Sequence, residues 1–203
     1  MITGYLDLDK NIVGLVDRKV LVIKSKNMAN AKLFGFSIVN SVMRENNDTV
    51  FYYHTDSYRI DGFLFVKHND HENQSPKIEN LNDRIYYFDK FNKVLFHGDK
   101  NIMLVEIKNK KDLNRFNKLM NIVKECPLLE QLYFIVCVND KLSCDVEDVY
   151  ATIDINEECE CKIVSEPIIY KYILKDCNNE KIGGEYYLLL RNNSLYTLIK
   201  EFR

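Results

Sequence analysis

The chain has 203 residues, 46% of them hydrophobic, and a net charge of −2. That length and apolar content suit one domain with a real core, and the near-neutral balance excludes a global basic field of the kind that draws nucleic acid. No apolar run approaches the roughly 18 residues of a membrane-spanning helix, and the opening MITGYLDLDK has no basic-plus-apolar leader, so a cytoplasmic protein without membrane contact is expected. The six cysteines are then expected as free thiols.

In chain order, Val20 to Ile23 is a short apolar run of buried-strand type. Asn30 to Arg44 has helical spacing, with Leu33, Phe34, Ile38 and Val42 on one face. Asn46-Asn47-Asp48 ends it, and Val50 to Tyr53 reads as the next strand. Gly62 to Val66 is apolar, Lys67 to Asp83 is polar throughout and reads as an exposed loop, and Ile85 to Phe88 resumes a strand. Ile102 to Val105 predicts a buried strand, Lys111 to Glu125 an amphipathic helix stopped by Pro127, and Leu132 to Val138 another strand. Val149 to Ile155 alternates, as a strand with one wetter face does. Ile168 to Leu174 and Tyr186 to Leu190 flank Gly183-Gly184, which predicts a hairpin turning at the glycines. Leu195 to Ile199 closes the chain as a strand or short helix.

Strands alternate with helices in the first two thirds, which predicts a mostly parallel sheet flanked by helices. The strand-rich last third is expected to be antiparallel. No linker or internal repeat is visible, so residues 1–203 are read as a single α/β domain.

The segment Thr3-Gly4-Tyr5-Leu6-Asp7-Leu8-Asp9 has the form T-G-x-x-x-L-D, followed by Gly14-Leu15 and the V-L-V-I strand. This resembles the start of the RecA-like ATPase domain of replicative DNA helicases of the DnaB type, and of the related RadA and KaiC proteins. The resemblance implies a RecA-like, P-loop-NTPase-type fold over nearly the whole chain. In its register the phosphate-binding loop G-x-x-x-x-G-K-[ST] falls on Ser25 to Lys32, SKNMANAK. Glycines there let backbone N–H groups wrap the phosphates, the lysine reaches the β- and γ-phosphates, and the hydroxyl holds Mg²⁺. Ser25, Asn30, Ala31 and Lys32 stand at the four defining positions, beside Lys26, and all four differ from the motif. A one-residue slip gives the lysine position to Lys32 but restores neither glycine nor hydroxyl. The helix N-terminus would still attract an anion.

The resemblance also implies vestigial counterparts of other stations. Asp56 stands for the catalytic Glu, Glu106 for the Walker B acid, Asn139 for a phosphate-sensing Gln, and Lys175 for the lysine of a K-x-R pair whose arginine is Cys177 here. The loops after Glu106 and Asn139, where the helicases contact DNA, are short. Val146 to Glu160 carries six carboxylates and no Lys or Arg, which repels phosphate.

Three other features have ordinary explanations. Lys108, Lys110, Lys111, Arg115 and Lys118 are a nucleic-acid candidate but are expected to be a solvated loop and helix face. Cys159-x-Cys161 with Cys144 or Cys177 lacks zinc-site spacing, His68-x-x-His71 reads as a solvated pair in the polar loop, and no metal is expected. Tyr52, Tyr53, Tyr86, Tyr87 and Phe88 lie in strand-like runs and are expected in the core more than as base-stacking platforms.

The expectation is a non-catalytic relative of the DnaB-type domain, binding copies of itself or another replication or recombination protein, with no cofactor and doubtful DNA binding. The alternatives are an unconventional nucleotide-binding ATPase using Lys32, Asp56 and Glu106, and a DNA-binding accessory protein using the Lys108 to Lys118 face.

Overall fold

The computed structural model describes residues 1–46, 48–54, 84–88, 100–125, 131–142, 145–156, 168–191 and 194–198. Within them a nine-stranded sheet forms the frame. The chain runs α1 (Leu6–Ile12), β1 (Val20–Ser25), α2 (Met28–Glu45), β2 (Thr49–His54), β3 (Ile85–Phe88), β4 (Lys100–Ile107), α3 (Lys110–Glu125), β5 (Gln131–Asn139), β6 (Val149–Asn156), β7 (Ile168–Asp176), β8 (Lys181–Arg191) and β9 (Ser194–Leu198). The strand order is β3-β2-β4-β5-β1-β6-β7-β8-β9. Pairing is parallel from β3 across to β6 and antiparallel from β6 to β9. The expected α/β class with a mostly parallel sheet and antiparallel C-terminal strands is what the chain adopts.

The crossover β1-α2-β2 moves toward the β3 edge, and β4-α3-β5 moves the opposite way. Right-handed crossovers therefore put α2 and α3 on opposite faces. Strand alternation agrees. Leu21, Ile23, Tyr53, Leu104 and Ile135 join α2 in one apolar cluster, while Val20, Val22, Met103, Val105 and Val136 join α3 in another. The parallel strands are buried on both faces, which is why they read as unbroken apolar runs.

The T-G-x-x-x-L-D segment has a structural role. Asp9 accepts hydrogen bonds from Thr3 N (2.7 Å), Thr3 Oγ1 (2.8 Å) and Gly4 N (3.0 Å). Gly4 sits at φ 79, and a Cβ there would meet Ser41 Oγ at 2.0 Å, so only glycine fits. The motif thus ties the first turn to α1, a helix the apolar spacing did not predict. Tyr5 of that turn packs edge-on against Phe34, which in turn packs on Tyr172 of β7.

Two expectations need correction. The hairpin does not turn at Gly183-Gly184. It turns at 177–180, where the Asp176 carboxylate accepts Asn178 N and Glu180 N, both at 2.9 Å, and Asn179 takes a left-handed φ of 66. Gly183, at φ 68, lies inside β8 where the register with β7 shifts, so the glycines make a bulge. The helix after β1 starts at Met28, two residues before the predicted Asn30. The last segment is a strand, β9. The predicted features over 62–83 lie outside the described residues.

Candidate functional site

Three parallel strands end side by side in the order β4-β5-β1, carrying Glu106, Asn139 and Ser25 at their carboxyl ends. Ligand crevices of open α/β sheets form at such ends. All three residues continue the alternation that faces α2, as does Tyr53 on β2, so four polar groups converge under the start of that helix.

The connection from β1 to α2 is only Lys26-Asn27. Asn27 is the N-cap, its side chain accepting from Ala29 N at 3.0 Å. Met28-Ala29-Asn30-Ala31 holds no glycine or proline and includes two alanines, so the chain enters the helix at once. Asn30 and Ala31, placed in a loop by the resemblance, form the first turn of α2, their N–H groups donating to Asn27 O at 3.0 and 3.4 Å. Ala31 is fully buried, and its carbonyl accepts from Cys137 Sγ at 3.4 Å. Ser25 is buried, and its hydroxyl accepts from Asn27 N at 3.2 Å. The Lys26 carbonyl accepts from Asn139 Nδ2 at 2.8 Å, which fixes the short turn to β5.

Lys32, in the second turn of α2, reaches down to the sheet. Its Nζ lies 3.3 Å from Oε1 of Glu106, a side chain only 2% exposed. Tyr53 donates its hydroxyl to the same oxygen. Lys108 Nζ lies 3.8 Å from Oε2. A buried carboxylate is tolerated only when paired and hydrogen-bonded, and here two ammoniums and a phenol do that. Burial pushes the nearby Cys137 thiol well above its usual pKa, and the Glu106 charge pushes it the same way. Cys137 is therefore a core residue and no nucleophile.

Above Glu106 opens a pocket of about 530 Å³ lined by Met28, Ala29, Lys32, Glu106, Lys108, Asn139, Lys141 and Leu142. The structure brings together five candidates here: Ser25, Lys26, Lys32, Glu106 and Asn139 meet at one edge, with Lys108 joining from the supposed nucleic-acid group. It separates others. Lys175 pairs with Asp154 at 2.9 Å in the antiparallel part and does not line the pocket. Lys110 and Lys111 begin α3, Arg115 lies 3.9 Å from Asp112, and Lys118 is exposed further along the helix. Asp56 lies outside the described residues, as do Cys144, Cys159, Cys161, His68 and His71. Lys141 was missed by sequence reasoning. Its only signal is its place two residues after the strand that ends at Asn139.

The acidic stretch is engaged in its described part. Asp148 pairs with Lys19 at 3.0 Å and with Lys124, Glu147 pairs with Lys124 at 3.4 Å, and Asp154 pairs with Lys175. Asn117 of α3 also donates to the Asp145 carbonyl at 3.1 Å, holding the loop after β5 against the helix.

No known family profile matches the chain, and no curated protein does. Among solved structures the chain resembles a DnaB-like replicative helicase, described together with its interactions with primase. The TM-score is 0.58 at 13% identity, over 97% of this chain and 63% of that one. The fold is therefore of the RecA-like, DnaB type, and the chain spans less than two thirds of that helicase's length. Among the described residues no helix is long and apolar enough to cross a membrane, and no three His, Cys, Asp or Glu side chains cluster as metal ligands.

Proposed function

We propose that this chain is a non-catalytic relative of the DnaB-type helicase domain, keeping the RecA-like scaffold and acting by binding in replication or recombination, through copies of itself or another protein of that machinery. One observation carries this reading. Glu106, at the place the resemblance gives to the metal-associated acid, is buried and already neutralised by Lys32 and Lys108, with Tyr53 on the same oxygen. Mg²⁺ would have to displace an ammonium from a buried carboxylate, and the two-residue turn before α2 supplies no loop to wrap a triphosphate. That supports loss of hydrolysis more strongly than a missing motif does.

A second reading, an unconventional nucleotide-binding ATPase, is favoured by Lys32 lining an open pocket. Calorimetry with Mg-ATP and Mg-ADP separates the two. The proposal expects no saturable heat at millimolar nucleotide and no phosphate release. Magnesium-dependent hydrolysis that Glu106→Gln abolishes would overturn it.

A further inference from the structure

We draw no further inference here: the strongest candidate, the apolar surface patch of Ile2 and Val13 beside the backbone hydrogen bonds that join Met1 and Leu15, is exposed and holds Val13 at a left-handed φ of 60, but nothing in the structure shows what covers it.

Discussion

The two halves of the sheet are built on different plans. From β3 to β6 the strands are parallel and both faces are covered, by α2 with α1 on one side and α3 on the other. From β6 to β9 they are antiparallel, and among the described side chains Tyr172, Leu174, Ile182 and Tyr186 join the cluster on the α2 side. The α3-side core ends at Val149. Beyond it the described side chains on that face are Thr152, which is buried, and Asp154 and Lys175, which are half-buried and paired with each other. In the parallel half, polar groups are pushed to the strand ends, so Ser25, Glu106 and Asn139 gather at one edge. In the antiparallel half they are spread along the strands. The polar groups gathered at that edge line the pocket there, and the covering of both faces does the gathering.

Phe34 is where the halves are joined, and its removal has the largest expected effect. It is fully buried, with ring centroids 5.5 Å from both Tyr5 and Tyr172. Phe34→Ala should cost about 3–5 kcal/mol in chemical denaturation. Phe116→Ala, whose ring packs on Phe134 inside the α3 cluster, should cost a similar amount. The two should differ in hydrogen exchange. With the global change subtracted, Phe34→Ala should speed exchange in β7 and Phe116→Ala should not. Equal acceleration by both would mean the halves share one core and the contrast is empty.

The same contrast explains what was legible in the sequence. Strands of the parallel half are continuous apolar runs, and β1, β2, β4 and β5 stand out as Val20 to Ile23, Val50 to Tyr53, Ile102 to Val105 and Leu132 to Val138. The α2 start was harder, because the resemblance assigns Asn27 to Ala31 to a loop while Asn27 is a helix cap. The hairpin was misplaced because a Gly-Gly pair is a stronger turn signal than Asp-Cys-Asn-Asn, although the Asp176 side chain makes that turn. α1 was hidden by alternating Leu and Asp. For the site, Glu106 and Asn139 were visible as residues ending buried strands. The Lys32–Glu106 contact was not, since it joins residues far apart in sequence and depends on strand order and on which face each side chain takes.

Lys32→Met tests the concentrated edge. Breaking a buried pair costs about 3–5 kcal/mol when the partner is left uncompensated. Lys32 is 28% exposed and Lys108 still faces Glu106, so a loss of roughly 1–3 kcal/mol is expected. Adding Glu106→Gln to Lys32→Met should cost less than the two single changes together, by about 0.5 kcal/mol or more. Strict additivity would show that the pair is not an energetic unit.

Asp148, at the opposite edge of the parallel half, gives a smaller and pH-dependent effect. Burial pushes its pKa up, but hydrogen bonds and charges from Lys124 and Lys19 outweigh this and hold it below the ordinary value. A depressed carboxyl pKa contributes stability above the unfolded value near 3.9, and that stability is lost as pH falls through the folded pKa. Asp148→Asn should therefore cost about 0.5–1 kcal/mol at pH 7, with the gap closing below pH of about 4. The left-handed φ of 57 suits Asn as well as Asp, so backbone strain does not confuse the comparison. A gap that persists in acid would assign the effect to shape and not charge.

The smallest effect is expected at the Lys175–Asp154 pair of the antiparallel half. Lys175 and Lys32 are close to matched as donors, 25% and 28% exposed, and Lys175 lies nearer its carboxylate, at 2.9 Å against 3.3 Å. Distance alone would make Lys175 the more valuable. The partners differ, since Asp154 is 23% exposed and Glu106 only 2%. When Lys175 is removed, water reaches Asp154 and repays most of the lost interaction, whereas Glu106, only 2% exposed, recovers less of it from water. Lys175→Ala should thus cost about 0.5 kcal/mol or less, and less still in high salt. If it costs as much as Lys32→Met, the burial of the carboxylate is not what sets the value of a lysine in this sheet, and the distinction between polar groups gathered at a strand edge and polar groups spread along strands loses its energetic meaning.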